Sequence, residues 1–170
     1  MIPDATVITV SLNPAIDRVI EVPGFEVGQH QRGRLLSRTP AGKAVNVSRA
    51  LAILGVDNVL TGFVGKGELA EFERFLDSPH IQPQLLAVDG TTRENITIVD
   101  PVTHRETHIR DMGFQIGRNQ FNRLVRKLGL LARPESLVIF SGSMPPGVSG
   151  DDFLRLVEVA IRSNARVVID

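Results

Sequence analysis

No cysteine occurs in the 170 residues, which excludes a disulfide framework and any thiolate metal site and fits a reducing compartment. Cytoplasm is therefore the expected location. No charge of one sign predominates either, because 19 Lys and Arg balance 19 Asp and Glu. Without a one-signed field nothing draws DNA, RNA or anionic lipid from a distance, so nucleic-acid and membrane partners are not expected. No apolar run approaches the length of a bilayer span, and the opening MIPDATVITVSLNPAID has no basic stretch followed by a continuous apolar one. Fixed-period repeats and low-complexity segments are missing as well.

What is present is a chain with 42% hydrophobic residues, long enough to bury one sizeable core and too short to need two. Runs rich in β-branched residues at Val7–Leu12, Val59–Val64, Leu85–Val88, Leu137–Phe140 and Arg166–Ile169 predict buried strands. Between several of them apolar residues recur at helical spacing: Val47, Ala50, Leu51 and Leu54; Phe121, Leu124, Val125 and Leu128; Phe153, Leu156, Val157, Ala160 and Ile161. This alternation predicts an α/β fold with a mostly parallel sheet covered by helices on both faces. Gly55 is placed to follow the first helix, and Ser149 with Asp152 to cap the last.

Two segments break the rhythm, about 17–38 and 94–110, the second reading as a hairpin of NITIVD and RETHIR around a Pro-Val-Thr turn. Together they predict a small accessory sheet lying at an edge as a lid. An exposed apolar face of Val19, Ile20, Val22, Ile96 and Ile98 is expected on it, suited to pairing with a second copy. The final strand, Arg166–Ile169, is expected inside the main sheet. A chain stopping there would lack the loop that follows, so the sequence reads as the N-terminal portion of a longer domain.

The stretch TPAGKAVNVS (Thr39–Ser48) puts a close turn, a lysine and an asparagine at a helix start. Free N–H groups, the positive end of the helix dipole and the Lys43 charge suit an oxyanion; a plain helix start with a solvated lysine accounts for the same residues. Gly62–Gly67 has glycines but not the spacing or hydroxyl of a phosphate-binding loop, and predicts a strand-to-helix turn. His104 and His108 would stand roughly 13 Å apart on one strand, too far to share a metal ion, so no metal site is expected. Asp17 could accept hydrogen bonds from sugar hydroxyls or merely close a turn. Arg93 offers a planar fork to a phosphate or is a surface arginine. Ser141–Gly147, SGSMPPG, follows a strand at its carboxyl end, as a stiffened loop or as a source of hydroxyls and N–H groups.

Taken together, TVSLNPAID, AGKAVNVSRALAILG, the GFVG turn ending at Gly65, TTRENITI and SGSMPPGV resemble, in order and over nearly the whole chain, the motifs of the PfkB (ribokinase-like) carbohydrate kinases. The likeness is strongest to their sugar-phosphate branch. It implies a three-layer α/β/α domain with a β lid that often forms a dimer interface, and transfer of the ATP γ-phosphoryl group, with Mg2+, to a hydroxyl of a phosphorylated ketohexose. Fructose 1-phosphate is the expected substrate; fructose 6-phosphate and tagatose 6-phosphate kinases, and a non-catalytic sugar-phosphate binder, are the alternatives. Carried over by position, Asp17, Gly42 and Asn46 would line the sugar site, Lys43 and Arg93 would hold the phosphate already on the sugar, and Arg32, Ser141 and Ser143 would assist. The family's GAGD motif, with its catalytic Asp and most of the nucleotide site, lies beyond residue 170 by this alignment. No catalytic residue is therefore assigned within the chain, which is expected to be inactive by itself. Ala41 and Ala44 replace glycines usual in this branch, harmlessly unless either needs a positive φ.

Overall fold

In the computed structural model, which describes residues 7–170, the chain begins with β1 (Val7–Ser11), β2 (Ala15–Glu21), β3 (Arg34–Ala41), α1 (Lys43–Ile53), β4 (Asn58–Gly65), α2 (Leu69–Phe75) and β5 (Ile81–Val88). It continues through β6 (Arg93–Asp100), β7 (Arg105–Arg110), α3 (Arg118–Leu131), β8 (Leu137–Phe140), α4 (Gly150–Arg162) and β9 (Arg166–Ile169). The start of the opening segment read for a leader, residues 1–6, lies outside the described residues.

Five strands form one sheet in the order β5-β4-β1-β8-β9, every pair parallel. Side chains alternate between its faces. Val59 and Phe63 of β4, with Ile8, Val10 and Phe140, pack on Phe121, Leu124 and Leu128 of α3 and on Leu156 and Ala160 of α4. Leu60 and Val64 pack on the other side, against Ala44 and Val45 of α1 and Phe72 of α2. Burial on both faces is why these strands read as continuous apolar runs rather than alternating ones. The result is the expected three layers. Both predicted helix ends hold: Gly55 follows α1, and Ser149 accepts from the Asp152 N–H while Asp152 accepts from that of Ser149.

Where β4 begins, Asn58 is buried and its amide donates to the carbonyls of Ser48, Val56 and His80 while its oxygen accepts from the Ser48 hydroxyl. One side chain thereby stitches α1, its exit turn and the entry to β5. The predicted Leu85–Val88 strand is longer, running from Ile81 and including Pro83, which an edge strand tolerates because one side of it has no ladder to serve. Within residues 7–170, Arg166–Ile169 pairs on one side, with β8. Among the described residues nothing pairs with its outer side, and Val168 and Ile169 are exposed.

The second sheet, β3-β2-β6-β7, is the predicted accessory sheet: β2 and β6 run parallel at its centre, with antiparallel β3 and β7 outside. It begins inside the core, where Ala15 and Ile16 are buried, and reaches outward. Its register corrects the predicted apolar face. Ile20 pairs with Ile98 and Leu35, and Ile96 pairs with Ile109, so these five share one side. Val19 falls on the opposite side, with Asp17, and Val22 is buried. The exposed apolar members are Leu35 and Ile109, whereas Ile20, Ile96 and Ile98 are half-buried.

Asp100, buried at the end of β6, fixes the lid's outer end. Its carboxylate accepts from the N–H groups of Gly24 (2.8 Å), Phe25 (3.1 Å) and Val102 (2.9 Å) and from the Thr103 hydroxyl (2.6 Å). The Thr103 hydroxyl and then the backbone donors hold its pKa well below the usual carboxylate range, against the opposing effect of burial. A carboxyl depressed in the folded state contributes stability that is fully present above the unfolded value of about 4 and is lost as pH falls through that value towards the folded one. Asp100→Asn should therefore be less protected than wild type in amide exchange at Gly24 and Phe25 above pH 5, with the difference shrinking below about pH 4. A difference independent of pH would show that the carboxylate charge is not what anchors the loop.

Candidate active site

From β1 the chain crosses by α1 to β4, while from β8 it crosses by α4, on the opposite face, to β9. The turns leaving the adjacent strands β1 and β8 therefore diverge, and a crevice opens outside their carboxyl ends, where open α/β sheets bind ligands. It encloses about 470 Å³. Ser11 and Asn13 after β1 and Ser141–Ser143 after β8 form its floor, the start of α1 one wall, and the polar side of the lid its roof.

Gly42 precedes α1 with φ 129° and ψ 148°, a conformation open to glycine, and a Cβ there would lie 3.2 Å from Pro14 Cα. No side chain caps the helix, no acidic residue sits in its first turn, and its first bond runs from the Asn46 N–H to the Gly42 carbonyl. The preceding N–H groups and the positive helix end thus face the crevice, with Gly42, Lys43 and Asn46 lining it. The alanine replacements are harmless: among the described residues the only non-glycine positions with positive φ are His104, Glu135 and Asn164, so neither Ala41 nor Ala44 is strained.

Lys43 is exposed and its ammonium lies 3.2 Å from Asp170 Oδ2, to which the buried Ser141 hydroxyl also donates at 2.9 Å. The Ser141 hydroxyl and then Lys43 hold the Asp170 carboxyl below its ordinary pKa. Asn13 bridges the two turns of the floor, its amide donating to Ser143 Oγ (3.2 Å) and the Met144 carbonyl (3.4 Å). Arg93 opens β6 and braces the same turn, Nε donating to the carbonyls of Asn13 and Pro14 and Nη2 to that of Asn13. Its half-buried guanidinium faces no carboxylate within ion-pair distance among the described residues. Burial first, then the Arg110 charge, push its pKa down, while Asp17 acts in the opposite direction. Asp17 accepts from the Asn95 amide at 2.8 Å. Among the described residues, two buried amide oxygens, Asn13 Oδ1 and Asn95 Oδ1, find no partner, and both residues line the crevice. Such acceptors suit a ligand that carries hydroxyl groups.

Seven of the eight sequence-predicted site residues thus converge: Asp17, Gly42, Lys43, Asn46, Arg93, Ser141 and Ser143. Arg32 does not. It lies exposed in the β2–β3 loop, which Asp100 and Gln31, the latter donating to the Gly24 carbonyl at 2.7 Å, fold onto the lid's outer end. Ser11, Asn13, Asn95, Arg110, Gly142 and Asp170 line the crevice without having been predicted. Asn95 was accessible to sequence reasoning, since it stands two residues after Arg93 and shares its strand face; Arg110 becomes a neighbour only through the β6–β7 register. Among the described residues no group of three or more His, Asp or Glu gathers to hold a metal ion. Among them, too, no helix is long and apolar enough to cross a membrane.

The chain resembles known sugar kinases along its length. It is 32% identical over 163 residues to a 1-phosphofructokinase of Xanthomonas campestris, covering 96% of this chain and 51% of that protein. To the 1-phosphofructokinase of Haemophilus influenzae it is 31% identical over 169 residues, 98% of this chain and 53% of the relative. Among solved structures, a possible 1-phosphofructokinase of Thermotoga maritima superposes with a TM-score of 0.78 at 34% identity, over 96% of this chain and 53% of the other. Phosphofructokinase-2 of Escherichia coli, solved with fructose-6-phosphate, superposes with a TM-score of 0.88 at 21% identity, over 98% of this chain and 55% of that one, a likeness of fold. The chain thus spans about half the length of these relatives. A family model described as pfkB family carbohydrate kinase matches residues 7–170, and the chain belongs to that family.

Proposed function

We propose that these residues form the sugar side of an ATP-dependent kinase that phosphorylates a ketohexose already carrying one phosphate, with fructose 1-phosphate as the preferred substrate. The observation that carries the reading is one crevice holding Lys43 and Arg93 beside Asp17 and two unpartnered amide acceptors, a set suited to a sugar with hydroxyls at one end and a dianion at the other. The names of the relatives at 31–32% identity support the choice of fructose 1-phosphate. ATP with Mg2+ is the implied phosphoryl donor. Asp17 accepts from Asn95, and Asp170 from Lys43 and Ser141, contacts that orient both carboxylates towards the crevice. Binding without turnover is the behaviour expected of residues 1–170 alone, and measurable turnover from them would refute that part. A cytoplasmic location belongs to the same reading.

Calorimetric titration with fructose 1-phosphate and with fructose tests it. Lys43→Ala should weaken binding of the phosphorylated sugar about tenfold or more and leave fructose nearly unchanged, since one charge-assisted contact is worth about 1.5–3 kcal/mol. Equal losses for both ligands would make Lys43 structural, and no binding of the phosphorylated sugar by the wild type would sink the proposal. We further infer that the lid's apolar side, with Leu35 and Ile109 exposed, pairs with a second copy of the chain. A strict monomer in sedimentation at high concentration would count against that pairing.

A further inference from the structure

The lid roof holds two arginines, and only one of them is needed to explain the site so far. Asp17, Asn95 and Arg110 are lateral partners on three adjacent strands, Asp17 opposite Asn95 and Asn95 opposite Arg110, so their side chains share the crevice-facing side. Arg93 precedes Asn95 by two residues and lies on that side as well. Arg93 and Arg110 are therefore diagonal neighbours across a β pair, about 7–8 Å apart at the backbone and within mutual reach of long side chains. Both line the crevice.

This arrangement is unfavourable for an empty protein. The two like charges repel, and Arg110 contributes, after burial, to the lowering of the Arg93 pKa. Among the described residues, no carboxylate lies within ion-pair distance of either guanidinium, and both lie against the same crevice. The nearest acid in the row, Asp17, already accepts from Asn95, and across the crevice Asp170 is taken up by Lys43 and Ser141. Two neighbouring forks, offset only in part by the Asp17 charge, are complementary to one tetrahedral dianion, which presents oxygens to both. We propose that Arg110 is a specificity-determining residue of the site: with Arg93 it clamps the phosphate borne by the sugar and so selects phosphorylated over free ketohexose. This inference rests on the sugar-phosphate reading above and adds a residue and a location, under the lid, for the phosphate.

The test is titration of wild type, Arg110→Gln and Arg110→Lys with fructose 1-phosphate and with fructose, at low and at moderate salt. Arg110 is exposed on an edge strand, so Gln keeps most of the side chain's bulk and should leave the thermal midpoint unchanged. The clamp predicts that Arg110→Gln loses about tenfold to a hundredfold in affinity for fructose 1-phosphate, that Arg110→Lys loses less, and that fructose changes by less than about threefold. It also predicts a weaker salt dependence in the Gln variant, one cation having been removed. Unchanged affinity for the phosphorylated sugar, or an equal loss for both ligands, would overturn the role of Arg110 while leaving the sugar-phosphate reading intact. A wild type that binds no phosphorylated sugar would overturn that reading and this one with it.

Discussion

Replacing Gly62 by alanine is expected to destabilise the chain by more than about 3 kcal/mol. Gly62 lies in the central strand β4, register partner of Ser11 in β1, with φ 127°. A Cβ built there would stand 1.8 Å from the Ser11 carbonyl oxygen and 2.5 Å from its carbon, and both atoms are backbone, so no rotamer change relieves the overlap. The strands must separate or the residue must change conformation. Forcing an L side chain to hold such a φ costs about 1–3 kcal/mol, and opening the ladder adds the loss of buried backbone hydrogen bonds. For a chain of this size the thermal midpoint should fall by roughly 6–12 °C or more. Because Ser11 lines the crevice floor, ligand binding should weaken in the same variant even well below its melting temperature. Gly67→Ala is the control, for a Cβ there meets nothing within 4 Å and φ is not positive; it should stay within about 0.5 kcal/mol of wild type. Urea denaturation of the two variants decides the matter, and a Gly62→Ala protein as stable as the control would show that β1 and β4 part without cost.

The contrast between these two glycines shows where sequence reasoning stops. Both sit in GFVGKG, which reads correctly as a strand running into a turn, yet the steric demand at Gly62 comes from a strand about fifty residues away. The same holds for the fold at large. The layers were legible because burial on both sheet faces leaves uninterrupted apolar runs, and because α3 and α4 carry their core residues at helical spacing. The full extent of β5 was not legible: the run read at Leu85–Val88 begins at Ile81 and takes in Pro83. Nor was the division of the lid's faces, since Val19 and Ile20 are adjacent in sequence and point to opposite sides.

In the site, the residues legible in advance were those belonging to contiguous motifs at chain turns: Asp17, Gly42, Lys43, Asn46, Arg93 and the two serines. Asp170 and Arg110 were not. Each enters the crevice from the end of a strand whose neighbours are set by long-range pairing, Asp170 beside Phe140 and Arg110 beside Asn95. Arg32 stands apart from this crevice for the complementary reason. Its placement depends on a loop whose direction is fixed by the carboxylate of Asp100, distant in sequence and recognisable as an anchor only when its four donors are seen together.

Arg93→Ala should lower affinity for fructose 1-phosphate by at least about a hundredfold, the largest single-residue effect expected in the crevice. The guanidinium has two duties at once. Through Nε and Nη2 it holds the carbonyls of Asn13 and Pro14, tying the turn after β1 to the start of the lid. Among the described residues Nη1 has no partner, so the other side of the fork is available to an anion in a half-desolvated setting, where charge-assisted bonds are strongest. Losing a charge-assisted bond of about 1.5–3 kcal/mol together with the placement of Asn13 accounts for a change of two decades or more, at 1.4 kcal/mol per decade. Arg93→Lys separates the duties: an ammonium keeps the charge and cannot span two carbonyls and a phosphate, so the loss should fall between wild type and alanine. The readout is the ratio of affinities for fructose 1-phosphate and fructose, measured with the thermal midpoint of each variant. A ratio that collapses in Arg93→Ala while fructose still binds marks Arg93 as a phosphate contact. If the ratio is preserved and both affinities fall along with the thermal midpoint, the brace to Asn13 and Pro14 is its whole role, and the phosphate must then be held by Lys43 and Arg110.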